Sequence, residues 1–387
     1  MRRFVITPAP LPADDGASPE GATGAESGAG AAGVRAEPPW QIRGIAELDR
    51  DYLVAVLGND DLAEDGEQVA VRLGNQRDTR KEVLLALDPD LGQDPAAVLG
   101  TAWLDYPMTD NTHLARVSVI VRTTHRRRGI GSALWARALH RIRGSGRAVV
   151  TAETCQGTEP EADSPDALVA PTGSGRVDAR EGGVRFARER GFTLAQVDRH
   201  SVQHLPLPDG LLAGLNTAAR AGAGEDYELV SWTGPVPQRW LAGMAVLLRA
   251  MSTDAPTGEL DYQEETWDGD RIRHAEQVLS ASGMRSITTA AMHARTGELA
   301  GYTEIHLDAR KPQVAYQENT VVLTPHRGHR LGMLLKTANL DLLAREAPRV
   351  RRVHTWNAQE NEHMLAINVA LGYRVTSIWG AWQLGTN

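Results

Sequence analysis

Apolar residues recur at three- and four-residue steps in two long stretches: Ile130, Leu134, Ala138 and Ile142, then Leu331, Leu334, Leu335, Ala338 and Leu342. Each set covers one face of a helix, so both stretches predict amphipathic helices. Directly before each lies a run rich in β-branched and apolar residues, 113–121 and 315–324, the pattern of a strand. A glycine-containing turn joins strand to helix in both places. Thr296-Gly297, between two further β-like runs, predicts a hairpin turn.

The two stretches belong to an internal repeat. With the chain offset by 201 residues, Gly100 meets Gly301, Arg126 meets Arg327 and Gly131 meets Gly332. Several matches in one register over 31 residues are not expected by chance. Each half reads strand, strand, glycine-rich turn, long helix, strand, helix, then a Gly-aromatic strand. Gly191-Phe192 matches Gly372-Tyr373 at an offset of 181, so the first half carries about 20 extra residues. They fall in 158–180, a segment rich in Pro, Gly, Ser and Asp that reads as a loop, either covering a groove or disordered.

The chain has 387 residues, a length that suits two or three domains. Residues 13–39 are mostly Ala, Gly, Glu, Ser and Pro and contain no aromatic side chain, a composition that cannot offset its ordering entropy. The expected organisation is a flexible leader over 1–39, a first domain over 40–220, a linker at 221–225 and a second domain over 226–387. Hydrophobic residues at 42% and charged residues at 23% exclude a wholly disordered chain. Cys155 is the single cysteine, so no internal disulfide forms, and it reads as structural. No apolar run is long enough to span a bilayer, no start resembles a signal peptide, and the expected compartment is the cytoplasm. The net charge of −8 argues against a nucleic-acid partner and favours a small phosphorylated ligand at a local basic site. No Cys, His or carboxylate cluster has metal-ligand spacing.

That basic site is the turn Arg126-Arg127-Arg128-Gly129-Ile130-Gly131, followed by Ser132. Glycines permit close backbone approach, and the following helix begins with amides that have no intrahelical partner. Together with the helix dipole these form an anion site, to which forked guanidinium groups add charge. The turn lacks both the Gly-Lys-Ser/Thr phosphate loop and the three-glycine dinucleotide fingerprint.

Arg126-x-x-Gly129-x-Gly131 resembles the Gln/Arg-x-x-Gly-x-Gly/Ala signature of the GNAT acyltransferase superfamily. The second half is similar through Gln317-Glu318-Asn319, Arg327-Gly328-His329-Arg330-Leu331-Gly332, Trp356-Asn357 and Asn361-x-x-Met364-x-x-x-Asn368-x-x-Leu371-Gly372-Tyr373. It looks particularly like the tandem GNAT proteins of actinobacteria, the group that includes mycothiol synthase. The resemblance implies an α/β fold with a splayed, mostly antiparallel sheet flanked by helices in each half. It also implies acetyl-CoA or another acyl-CoA across the splay, with no metal. The pantetheine arm is then expected on Val119, Ile120 and Val121 and on Thr320, Val321 and Val322. The pyrophosphate is expected on the two turns, with Asn357 and Asn361 as pantetheine partners or, for Asn, a helix cap.

Moving an acyl group from a thioester to an amine requires a neutral amine, donors for the developing oxyanion and a proton for the thiolate. Glu318 on the second half's fourth strand is the candidate base; in the 201 register its counterpart is Val117. Glu304, matched by Trp103, is a candidate for binding the acceptor, as is Asp254 unless it merely stabilises a turn. His354 reads either as a second base or as a satisfied structural histidine. The resemblance implies a tyrosine as the thiolate's acid, but Asn368 stands at that position, leaving Tyr373, Tyr316 or water. Arg330 replaces Gly129, either adding pyrophosphate affinity or obstructing the cradle. The first half thus carries the full turn without a base, and the second a base beside an altered turn.

The expectation is an N-acyltransferase for a small-molecule amine, a monomer with paired halves. Its first half retains acyl-CoA and its second performs the chemistry with Glu318. The rivals are an acyl-CoA sensor without activity and a peptide or protein N-acyltransferase.

Overall fold

The computed structural model describes residues 4–12 and 37–386. The 13–36 stretch of the expected leader lies outside the described residues. Its beginning does not read as leader: Val5–Pro8 forms strand β1, which pairs with β2 through Val5 to Leu87 and Pro8 to Leu84. Four residues suffice for an edge strand when a longer strand receives them, so residues 5–8 are not part of a leader.

The first half continues with α1 (Trp40–Leu57), α2 (Gly66–Gly74), β2 (Thr79–Leu87), β3 (Val98–Pro107), β4 (Leu114–Val121), α3 (Ile130–Gly144) and β5 (Val149–Gln156). A small hairpin, β6 (Ala167–Val169) and β7 (Arg176–Asp178), precedes α4 (Gly182–Arg188), β8 (Thr193–His204) and α5 (Leu211–Ala223). The second half runs β9 (Tyr227–Thr233), α6 (Leu241–Asp254), α7 (Gly269–Ala281), β10 (Met284–His293), β11 (Leu299–Asp308), β12 (Val314–Val322), α8 (Leu331–Glu346), β13 (Arg352–Ala358), α9 (Glu362–Ala370) and β14 (Arg374–Gly385).

Both helices form where the apolar spacing places them, but only α3 keeps a single apolar face. Ile130, Leu134, Ala138 and Ile142 are buried in α3, and Leu331, Leu334 and Leu335 in α8. Leu342 lies only at the margin of its core, and the buried face of α8 instead passes through Lys336, Thr337, Asn339, Leu340 and Leu343.

The halves do not form separate sheets. Twelve strands make one sheet in the order β1-β2-β3-β4-β5-β14-β8-β13-β12-β11-β10-β9. Each half gives its last strand to the other: β14 lies against β5, β8 lies against β13, and the two pair at the centre. Read from either edge, the order is the same repeat, a pseudo-twofold arrangement. Trp382 of β14 is fully buried in the first half's core and donates its indole N–H to Thr154 Oγ1 at 2.9 Å. The boundary expected at 221–225 shifts as well, because α5 packs on α8, with Asn216 donating to Thr337 Oγ1 at 2.9 Å. The 158–180 insertion is ordered: Ala170 and Val177 enter the first core, and Arg176 pairs with Glu159 at 3.2 Å.

Candidate active site

The site arises where parallel strands part. Leu114, Ala115 and Arg116 of β4 pair with Val149, Val150 and Thr151 of β5, and the ladder ends there. In the second half Val314, Ala315 and Tyr316 pair with Arg352, Val353 and His354, and again the ladder ends. Beyond these points the facing backbone groups are available to a ligand. A cavity of about 1180 Å³ runs from the first splay across β14 and β8 to the second. Residues 255–268 of the second half lie over it; Gln196 donates to Pro256 O at 2.8 Å, and Gln263 N donates to Asn111 Oδ1 at 2.7 Å. Gly258 makes this crossing possible, since at φ +57° a Cβ would stand 2.5 Å from Ala195 O.

The first half's turn forms one end of the cavity. Gly129 at φ +85° and Arg127 at φ +61° reverse the chain so that α3 starts at Ile130. Val119, Ile120, Val121, Arg126, Arg127, Gly129, Ile130, Gly131 and Ser132 all line the cavity; Arg128 does not. Arg126 donates from Nε to Val121 O at 3.2 Å. A Cβ on Gly131 would stand 3.2 Å from the Phe186 ring, so the backbone approaches closely here. Arg190 lies over that ring, 3.3 Å from its centroid, and donates to Ser132 Oγ at 2.8 Å. Amide-bearing helix terminus, guanidinium groups and open strand backbone together fit a CoA pyrophosphate and pantetheine arm.

The second turn keeps the backbone shape. Gly328 stands at φ +87° and Arg330 at φ +56°, and Arg327 donates from Nε to Val322 O at 3.0 Å, as Arg126 does to Val121. The Arg330 side chain rests on Gly222 of α5, where a Cβ would meet its Cδ at 2.8 Å. Asp254 is not positioned for an acceptor: it pairs with Arg327 at 2.7 Å and is absent from the cavity wall. Thr320 lines the cavity, whereas Val321, Val322, Gly328, His329, Leu331 and Gly332 do not. Val321, Leu331 and Gly332 are buried, and the remainder of the turn is on the outer surface.

Glu318 owes its place to a bulge. Thr303 faces Thr320 and Ile305 faces Gln317, so Glu318 and Asn319 together oppose Glu304. In the first half Leu104 faces Val117 and Trp103 faces Ser118 without interruption. The counterpart of Val117 is therefore Gln317, not Glu318. Glu318 lines the cavity with 41% of its side chain accessible. Behind it stands His306, whose Nδ1 is 3.5 Å from Glu318 Oε1 and whose Nε2 is 2.8 Å from Glu304 Oε1. Thr288 donates to the other Glu304 oxygen at 3.0 Å. Glu304 thus anchors His306 and is absent from the cavity wall. Desolvation by the surrounding protein raises the Glu318 carboxyl above its ordinary range; His306 opposes that and Glu304 adds to it. Burial disfavours the His306 imidazolium, but Glu304 and Glu318 outweigh it and the net shift is upward.

Two expected catalytic side chains lie elsewhere. Tyr373 is buried in the second core, its ring 5.4 Å from Lys336 Nζ, and does not reach the cavity. His354, 1% exposed, sits on the last strand pair before the splay and is enclosed by its neighbours. Its Nε2 is 3.1 Å from Asp61 Oδ2 and its Nδ1 3.0 Å from His200 Nε2, so both nitrogens are satisfied. Tyr316 is likewise engaged, donating to Asp61 O at 2.5 Å. Asn361 caps α9, accepting from Met364 N at 3.2 Å, and lines the cavity with Asn357. Asn357 accepts from Asn368 at 2.6 Å, and Asn368 in turn accepts from Lys336 at 2.7 Å.

Two features escaped sequence reasoning, His306 and the carboxylate pair on β5 and β8. His306 stands two residues from Glu304, and the period of a strand puts both on one face; that signal was available. Glu153 on β5 and Asp198 on β8 line the middle of the cavity, and burial pushes Asp198 up to about 7 with help from Glu153 and Glu360. They meet only through the strand exchange, which no local pattern announces. Cys155 also lines the cavity, but burial pushes its thiol up to about 12, unlike a nucleophile's.

Residues 50–161 match the acetyltransferase (GNAT) family. A tandem GNAT protein from the clavulanic acid biosynthesis pathway, solved without acetyl-CoA, is 24% identical with a TM-score of 0.69, covering 100% of this chain and 99% of that one. The chain has the tandem GNAT fold. A GCN5-related N-acetyltransferase from Sphaerobacter thermophilus is similar at 15% identity and a TM-score of 0.60, covering 99% and 96%. No curated protein matches the sequence. Among the described residues no helix of this chain is long and apolar enough to cross a membrane, and no group of three or more His, Cys, Asp or Glu side chains could hold a metal ion.

Proposed function

We propose that this protein transfers an acyl group from an acyl-CoA, acetyl-CoA being the simplest donor, to the primary amine of a small molecule. The observation that carries this reading is Glu318, raised by the β12 bulge into the cavity at the point where β12 and β13 part. There its carboxylate removes a proton from the acceptor's ammonium, directly or through water, leaving the neutral amine that attacks. His306 and Glu304 hold it in place from behind. The first half retains acyl-CoA on residues 126–132, and the second performs the transfer.

The cavity also favours a cationic acceptor. Glu153, Asp198 and Glu318 supply carboxylates, while Trp356, Trp379 and Tyr262 supply aromatic walls. The covering segment 255–268 encloses this space, which suits a small molecule better than an extended peptide. The neighbour from clavulanic acid biosynthesis adds support for an amine of secondary metabolism.

The test is thiol release from acetyl-CoA by the full chain against a panel of small primary amines, diamines included, and short peptides. Release with a small amine supports the proposal. Release only with peptides supports the peptide acyltransferase, and binding of acetyl-CoA without release to any amine supports a sensor.

A further inference from the structure

Lys336, on α8, is one of three lysines in the chain and is 2% exposed. It nevertheless lines the cavity, beside Asn357 and Asn361 on the β13 side of the second splay. Its Nζ donates to Asn368 Oδ1 at 2.7 Å, a neutral acceptor, and faces the Tyr373 ring at 5.4 Å. No carboxylate contributes to its titration; burial alone lowers the ammonium to about 7. A buried ammonium without a counter-ion is costly, and an anion arriving beside it offsets that cost. The neighbouring Asn368–Asn357 hydrogen bond holds Nζ in one place, because Asn368 spends its amide on Asn357 and its carbonyl oxygen on Lys336.

Thioester aminolysis produces an anion in this splay. We propose that Lys336 is the catalytic acid of the second half, delivering a proton from Nζ to the departing CoA sulfur. The amine nitrogen forms the new C–N bond with the acyl carbon, and the C–S bond breaks with its electron pair left on sulfur. Lys336 supplies the proton that converts thiolate to thiol. Glu318 takes one proton from the acceptor ammonium before attack and a second from the nitrogen after the C–N bond forms, passing each to water, and water returns a proton to Lys336. The proposal rests on the acyl-transfer reading of the second half. It supplies the proton that Tyr373, buried in the second core, and Tyr316, spent on Asp61, cannot deliver.

The test uses the full chain with CoA itself as probe. Native mass spectrometry counts bound CoA, and ultraviolet thiolate absorbance follows the bound thiol against pH in wild type, Lys336→Met and Lys336→Arg. An ammonium beside sulfur lowers a thiol pKa by about one unit or more. Wild type should bind two CoA, one thiol titrating below free CoA by that margin. Lys336→Met should lose the shift, Lys336→Arg should keep part of it, and the thermal midpoint of Lys336→Met should equal or exceed that of wild type. Identical thiol titration in wild type and Lys336→Met overturns the proposal, as does a lowered midpoint with unchanged titration, which marks a structural lysine. If wild type binds a single CoA that the first half's turn accounts for, the transfer reading of the second half falls too. The count of bound CoA separates that failure from failure of the lysine alone.

Discussion

Nδ1 of His306 lies 3.5 Å from Oε1 of Glu318, on the face of the β11–β12 pair that carries the bulge. The two groups pull in opposite directions: the imidazolium lowers the carboxyl that burial raises. The acid limb of kcat/KM should therefore lie above the ordinary 4.5 of a glutamate. His306→Asn removes the stabilising cation, so its limb should move to higher pH. A pH–rate profile of both proteins checks this, and a limb that moves down or stays in place counts against the pairing.

The strand exchange makes each half depend on the other. Trp382 belongs to the second half by sequence but fills the first half's core. Trp382→Ala should destabilise the protein by about 3–5 kcal/mol. Hydrogen exchange should show the loss in β5 and β8 of the first half, not in β10 and β11. Destabilisation confined to the second half would mean that the exchange does not hold in solution.

Gly258 lets the covering segment cross β8. Gly258→Val adds both a strained backbone and a contact with Ala195 O, and such strain costs on the order of 1–3 kcal/mol. The segment should lift, raising KM for the amine several-fold while donor retention is unchanged. Steady-state kinetics with the amine found in the panel decides it.

Asp198 and Lys336 contribute opposite slopes to stability on the two sides of neutral pH. Asp198 has its folded pKa, about 7, above its ordinary 3.8, so the folded state binds more protons between these values and stability falls as pH rises through that window. Lys336 has its folded pKa, about 7, below its ordinary 10.5, so the unfolded state binds more protons and stability rises from pH 7 upward. Asp198→Asn should flatten the first slope and Lys336→Met the second in chemical unfolding across pH. Unchanged slopes in these variants would count against both buried environments.

The fold was legible to the extent that it depended on local chemistry. Apolar spacing placed α3 and α8, and the repeat placed both turns, because helix faces and positive-φ glycines leave marks within a few residues. The pairing of β14 with β5 joins residues more than 200 apart in sequence, and nothing in residues 374–385 distinguishes a home sheet from the other half's. For the site, Glu318 was legible as a carboxylate on the fourth strand, but not the bulge that aims it, since the 201 register hides a single extra residue. Of its two readings His354 takes the structural one, because it faces the closed part of the ladder, whereas Tyr373 is drawn into the second core. Lys336 was passed over because the apolar spacing of Leu331, Leu334, Leu335, Ala338 and Leu342 does not include it, whereas the structure buries it with Thr337 and Asn339.

The central claim is that the second half performs the transfer with Glu318 while acyl-CoA is held by the first. The most direct test is the turnover of Glu318→Gln, measured as CoA release at saturating amine on protein whose retained acyl-CoA has been weighed by native mass spectrometry. Loss of a positioned base lowers rate by about 10²–10⁴, and that loss, with retained acyl-CoA equal to wild type, is the predicted result. A drop of less than about tenfold contradicts the claim, because a general base contributes at least that much.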